Sequence, residues 1–283
     1  MNRTEASLYN PSPVVVGLKR LVALVERVLP PAAFRRFYDT GFALYRAGLR
    51  ASYRRHELFA RMRGDAAGAH RAATVHRVMP YSLVGASGLE ATYDALTTVE
   101  SEGIPGAIVE CGVAQGGCAA LMALTTERAG NGRQLWLFDS YEGLPPATDK
   151  DYEGSVTGHH VRALPPGSCL GTLEQVEGLL FDRLRLDRSR IRLVKGWFEN
   201  TLAPTAPTVG AVAILRIDAD WYESVKCCLD VFFDAVSPRG CVIIDDYGTC
   251  FGARKAVDEF LAARKLALEL TPDGRGGIVF RKP

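Results

Sequence analysis

The sequence has no run of roughly 18–20 uninterrupted apolar residues, which excludes an evident membrane-spanning helix. The one early apolar run, 11–18, stops at Lys19-Arg20 and lacks the charged start and small-residue cleavage site of a secretory signal. It has no CxxC pair and no Cys/His zinc spacing. Its seven cysteines are odd in number and lie mostly in apolar segments, so free thiols are expected. None of the five histidines neighbours a cysteine in sequence, which argues against thiol catalysis. Repeats and low-complexity tracts are absent. These absences make cytoplasmic residence the expectation, with peripheral membrane contact left open.

The 283 residues are 47% hydrophobic and 23% charged, an ordinary globular composition. Net charge is only +2, but it is unevenly spread. Residues 1–80 hold 14 Lys and Arg against 5 Asp and Glu, whereas the remainder holds 20 against 27. A basic arm, residues 1–75, therefore precedes an acidic body, residues 76–283. An acidic body repels phosphates, so no nucleic-acid partner is expected. Apolar residues at helical spacing over 14–29 and 33–62, separated by Pro30-Pro31, predict two or three amphipathic helices. Such an arm suits a helical cap, a subunit contact or an anionic membrane surface.

From Leu89 the pattern alternates. A helix is predicted over 89–102 and strands over 106–112, 134–139, 190–195, 212–218 and 241–246. These near-continuous apolar runs suit strands buried on both faces of a parallel sheet. Two further strands, 266–271 and 276–281, are joined tightly enough to form an antiparallel hairpin. The predicted class is α/β: a seven-stranded, mostly parallel sheet with an antiparallel C-terminal hairpin. The Gly- and Pro-rich segment 143–172 is long enough to cover a site, and His159 and His160 lie in it.

Ligands of open α/β sheets sit at the carboxyl ends of the strands. The first strand ends in Glu110-Cys111-Gly112-Val113-Ala114-Gln115-Gly116-Gly117, a turn that suits close backbone approach to a ligand or tight packing. Its spacing is not the G-x-G-x-x-G of dinucleotide enzymes. The second strand ends in Asp139-Ser140, placed to hold ribose hydroxyls or to cap a helix. Asp218 and Asp220 end the fourth strand, and Asp245 and Asp246 end the fifth. Crowded carboxylates take up protons or find a cation, and hard oxygen donors suit Mg²⁺, Mn²⁺ or Ca²⁺. The alternative is neutralisation by Arg216, Lys226, Arg254 and Lys255.

Five collinear segments resemble the TylF/MycF (macrocin O-methyltransferase) family: VECGVAQGGCAALMA (109–123), LWLFDSYEGLPP (135–146), LVKGWFENTL (193–202), LRIDADWYES (215–224) and VIIDDYGTCFGARKAVDEF (242–260). The resemblance covers about residues 80–283 and implies a class I, Rossmann-like methyltransferase fold. It implies S-adenosylmethionine and Mg²⁺ (or Mn²⁺) as cofactors. The residues from Glu110 to Gly117 would line the methionine part, with Gly112, Val113, Gln115 and Gly116 among them. Asp139 and Ser140 would hold the ribose, Gly196, Trp197 and Phe198 would flank the adenine, and Ser82 would stand near the cofactor carboxylate. Asp218, Asp245 and Asp246 would hold the metal, and Asp220 would be the general base. The implied reaction is transfer of a methyl group to a hydroxyl, foremost of a sugar in a glycoside or glycolipid, by a homo-oligomer. A catechol-type hydroxyl acceptor and a non-catalytic, membrane-associated binding protein on the same scaffold are the competing readings.

Overall fold

The structure is a computed structural model, and residues 13–152 and 164–283 are described. They fall into two compact units that divide between Met79 and Pro80.

The first unit is helical: α1 (Pro13–Val28), α2 (Pro31–Met62) and α3 (Ala66–Val78). Pro30 ends one helix and opens the next, with φ −57° and ψ 149°, because proline fixes φ and disfavours helix in the residue before it. Asp65 caps α3 by accepting a hydrogen bond from Gly68 N–H at 2.8 Å. Tyr53 of α2 and Val75 and Val78 of α3 are buried, and the two helices pack together.

The second unit is built on one sheet: β1 (Ala107–Cys111), β2 (Leu135–Asp139), β3 (Ile191–Lys195), β4 (Val212–Ile217), β5 (Val236–Ile244), β6 (Thr271–Pro272) and β7 (Ile278–Arg281). Their order is β3-β2-β1-β4-β5-β7-β6, with β7 antiparallel to both neighbours and the rest parallel. Helices α4 (Ala86–Ser101) and α5 (Gly117–Ala129) pack on each other; α7 (Phe198–Val209), α8 (Tyr222–Phe232) and α9 (Phe251–Ala263) form another contiguous layer. The short α6 (Leu173–Glu177) follows the long loop. Val109, Cys111, Leu215 and Ile217 join the core with α8 and α9, so the alternate residues Glu110 and Arg216 face the other way. All residues of β1 and β4 are buried, as central parallel strands require.

The expected hairpin differs in one arm. Of 266–271, only Thr271 and Pro272 pair with β7. Leu266, Leu268 and Leu270 are partly buried against the core at alternate positions without a ladder partner. Alternation reports which side chains are covered, not whether the backbone pairs. No helix among the described residues is long and apolar enough to cross a membrane. All seven cysteines are free thiols.

Candidate active site

Strand order reverses between β1 and β4, so the connections leaving their carboxyl ends diverge and open a crevice. A cavity of about 710 Å³ lies there. It is lined by Gly112, Asp139, Ser140, Trp197, Phe198, Asp218, Asp220, Asp245, Asp246 and Arg275, and by Leu144–Pro146 and Cys250 among others.

The β1–β4 contact explains Gly112. At φ 90° it sits so close to the neighbouring strand that a Cβ would lie 1.8 Å from Asp218 O. Backbone therefore forms this part of the cavity wall. Asp139 anchors the turn after β1: its Oδ2 accepts from Val113 N–H (2.7 Å) and Ala114 N–H (3.0 Å), and its Oδ1 from Tyr141 N–H (2.7 Å). A carboxylate offers about four acceptor positions, so capacity remains toward the cavity.

Register sets the charged cluster. Glu110 on β1 and Arg216 on β4 are paired neighbours, so their side chains lie side by side. Asp218 stands two residues beyond Arg216, and Asp245 two beyond its β5 partner Ile243. Arg216 has no exposed surface. Its Nη1 donates to Glu110 Oε1 (3.3 Å) and Asp218 Oδ2 (2.9 Å), and its Nη2 to Asp245 Oδ1 (2.8 Å). The other oxygen of Asp245 accepts from Arg275 Nη1 at 2.9 Å. Arg275 is delivered by the turn before β7, where Asp273 Oδ1 accepts from the backbone N–H groups of Arg275, Gly276 and Gly277 at 2.7, 3.0 and 2.9 Å.

Five carboxylates (Glu110, Asp218, Asp220, Asp245 and Asp246) thus face two guanidinium groups. Burial, opposed by Arg216, pushes Glu110 up to about 8. Burial and then the Asp218 and Asp245 charges push Asp220 up to about 7; burial and then the Asp245 charge raise Asp218, and burial and then the Asp220 charge raise Asp246. Asp246 Oδ2 is buried with no hydrogen-bond partner among the described residues, while its Oδ1 accepts from Thr249 Oγ1 at 3.2 Å. Asp220 holds φ 54°, an uncommon conformation for a residue with a Cβ, and its Oδ1 accepts from the Cys250 thiol at 3.7 Å.

Ligand atoms of Asp218, Asp245 and Asp246 lie within 4.8 Å of one another, as do those of Asp220, Asp246 and Cys250. The first trio offers only hard oxygens, an orphaned one among them, in an excess of negative charge. That set fits Mg²⁺ or Mn²⁺. The Cys250 thiol is driven upward by burial and the Asp246 charge, which keeps it protonated and a poor ligand for a hard ion.

Other predicted residues lie elsewhere. Glu110 is buried beside Arg216 rather than on the cavity wall. Ser82, Val113, Gln115, Gly116, Gly117 and Gly196 do not line the cavity either. Gly117 is a packing glycine, since a Cβ there would lie 2.5 Å from Ser82 Cβ and 2.6 Å from Tyr81 O. Ser82 Oγ accepts locally from Val84 N–H at 3.1 Å. Of the cations expected to neutralise the site, Arg216 does so; Lys226 and Arg254 pair with Asp230 and Asp258 instead, and Lys255 lies over the Tyr222 ring. Arg275 was missed by sequence reasoning. The signal was topological: an antiparallel β7 starts at the edge where the parallel strands end, which brings its preceding turn to the site. His159 and His160 lie outside the described residues.

The segment predicted to cover the site begins and ends at one point. Leu144 N–H donates to Ser168 O and Gly167 N–H to Leu144 O, both at 2.9 Å. Its first part is held by Asp151, whose Oδ1 accepts from Tyr222 N–H at 2.7 Å at the start of α8, and by Trp221 Nε1 donating to Pro145 O at 3.0 Å.

A seven-stranded sheet in this order, with an acidic residue ending β2 and a carboxylate cluster ending β4 and β5, defines a class I S-adenosylmethionine-dependent methyltransferase. Over residues 38–282 the chain matches the Macrocin-O-methyltransferase (TylF) family; it belongs to that family and is an S-adenosylmethionine-dependent O-methyltransferase. The match starts inside α2, well before the region near residue 80 where the resemblance read from the sequence begins.

The demethyldecarbamoylnovobiocin O-methyltransferase of Streptomyces niveus is 33% identical over 204 residues, 71% of this chain and 76% of that one. The mycinamicin III 3''-O-methyltransferase of Micromonospora griseorubida is 30% identical over 207 residues, 71% of this chain and 78% of that one. The solved O-methyltransferase NovP superposes with a TM-score of 0.61 at 31% identity, covering 71% of this chain and 82% of its own. The calicheamicin methyltransferase CalS11, at 22% identity and a TM-score of 0.52 over 68% of this chain and 77% of its own, shares the fold.

Proposed function

We propose that this enzyme is a divalent-metal-dependent O-methyltransferase that methylates a sugar hydroxyl of a glycoside or glycolipid natural product. The observation that carries the metal is the trio Asp218, Asp245 and Asp246, gathered within 4.8 Å with one buried oxygen left over. The sugar acceptor is supported by a Streptomyces olivaceus relative, 38% identical over 59% of this chain, whose name gives 4'-O-methylation of a rhamnosyl-tetracenomycin.

S-adenosylmethionine supplies the activated methyl group on its sulfonium, and a divalent cation held by Asp218, Asp245 and Asp246 supplies positive charge that acidifies a hydroxyl. The chain does the rest. Asp139 and Ser140 hold the ribose, Gly112 lets backbone approach the cofactor, and Trp197 and Phe198 give the adenine an apolar wall. Asp220 accepts the acceptor's proton as general base; burial raises its affinity for a proton toward what that task needs. Arg216 fixes the directions of Asp218 and Asp245. The neck at Leu144–Ser168 and the anchored 144–152 segment shield the reacting atoms from water.

The test is turnover of protein stripped with chelator and reloaded with Mg²⁺ or Mn²⁺, beside Asp218→Asn, on sugar glycosides and on phenols. The reading expects activity only with metal, a fall of at least about 10²-fold in the variant with cofactor binding retained, and preference for glycosides. Full activity in chelator removes the metal, and preference for phenols removes the sugar.

A further inference from the structure

Helix α2 carries an apolar face that the catalytic reading leaves unexplained. It is 32 residues long, about 48 Å at the usual helical rise. At 3.6 residues per turn, Phe37, Tyr38, Leu44, Tyr45, Phe59 and Met62 fall on one side, and all six are exposed, Leu44 by 69% and Met62 by 74%. The opposite side carries Arg36, Arg46, Arg50, Arg54 and Arg61, with Arg46 donating to Met79 O and Arg61 paired with Glu57, while Arg55 falls on the apolar side. Packing against α3 uses the strip between, where Tyr53 is buried. The exposed face is therefore left over after the helical unit has built its own core. Neighbouring α1 repeats the pattern with exposed Leu21, Leu24 and Val28.

We propose that α2 lies flat on an anionic lipid bilayer, its apolar face in the headgroup–acyl boundary and its basic side within electrostatic reach of the lipid phosphates. Charge selects this occupant. The helix has seven arginines against two carboxylates. A two-fold pairing through the apolar face would cover that face but offer the arginines of the far side no acidic partner, since an isologous interface places each patch against itself. A nucleic acid would satisfy the arginines but leave six large apolar side chains wet. An anionic bilayer satisfies both: apolar area enters the interface, and each arginine near the surface adds electrostatic attraction. Because no described helix is long and apolar enough to cross, the contact is along the surface. This inference does not depend on the metal or on the acceptor.

The experiment uses the full chain, sedimented with vesicles of phosphatidylcholine alone or mixed with phosphatidylglycerol, at low and high salt. The expected result is pelleting with the mixed vesicles, weakened by salt. Leu44→Ser with Phe59→Ser should lower the partition by at least about tenfold, and Arg50→Gln should lower it roughly fivefold. Cofactor binding by both variants, measured by calorimetry, checks that they fold. Absence of pelleting with mixed vesicles overturns the proposal. So does pelleting that Leu44→Ser with Phe59→Ser leaves unchanged in a variant that binds cofactor. If vesicles are ignored and the same variant instead dissociates an oligomer in light scattering, the face belongs to a second copy.

Discussion

Arg216 is a full charge with no exposed surface, held by three carboxylates on two neighbouring strands and the strand end beyond. Its value is positional: one guanidinium sets the directions of both Asp218 and Asp245. Removing it strands acids that have no other buried partner of equal reach. Arg216→Met should cost about 3–5 kcal/mol of stability, measured by urea unfolding of the metal-free protein. Loss of less than about 1 kcal/mol would show that the acids are protonated enough to manage alone. Arg275 differs, since it approaches the same Asp245 from an open turn with a third of its side chain exposed. In the metal-dependent reading it competes with the ion for that oxygen. Arg275→Gln should therefore tighten Mn²⁺ binding by roughly tenfold in calorimetry, in keeping with one fewer positive charge nearby. Weaker binding would instead make Arg275 an organiser of the ligand set.

Among the elements, Asp151 joins the 144–152 segment to α8, accepting from Tyr222 N–H with one oxygen and from Thr148 N–H (2.8 Å) and Oγ1 (3.0 Å) with the other. Gly252 on α9 makes room for it, because a Cβ there would lie 1.8 Å from Asp151 Oδ1. Asp151→Ala should cost about 1 kcal/mol, the usual worth of such a helix-start acceptor, and should speed proteolytic cutting between residues 144 and 170. An unchanged cleavage rate would mean that Trp221 and the Lys150–Glu223 ion pair hold the segment without it. The central strands were legible in the sequence because burial on both faces leaves a near-continuous apolar run, broken only by the mutually paired Glu110 and Arg216 in Ala107–Cys111 and Val212–Ile217. The outer arm of the hairpin was not: Leu266, Leu268 and Leu270 alternate like a strand, yet only Thr271 and Pro272 pair. The start of β5 at Val236 was also hidden, because Ser237, Pro238, Arg239 and Gly240 read as a turn.

For the molecule as a whole, sequence reasoning gathered the cavity's carboxylates but not their wiring. Asp139, Asp218, Asp220, Asp245 and Asp246 reach one cavity because each ends a parallel strand, a rule that needs no coordinates. Glu110 was assigned to the cofactor side, whereas strand register puts it behind the wall with Arg216; pairing between β1 and β4 is invisible in a single chain's spacing. A cofactor that binds this cavity and not the unfolded chain must stabilise the catalytic unit. At about a hundred times its Kd, S-adenosylmethionine should add about 2.7 kcal/mol, raising the midpoint of thermal unfolding by roughly 5–10 °C for a unit of this size. No shift would mean that the cavity does not take the cofactor.

The paired hydrogen bonds between Leu144 and Gly167–Ser168 make the intervening chain leave and rejoin the body at one place. A segment closed at its neck puts no length requirement on β2 before it or on α6 after it. Changes of length beyond the anchored 144–152 stretch need not displace the carboxylates below. Length can thus drift there over evolution, while the charged cluster stays under its own separate constraint.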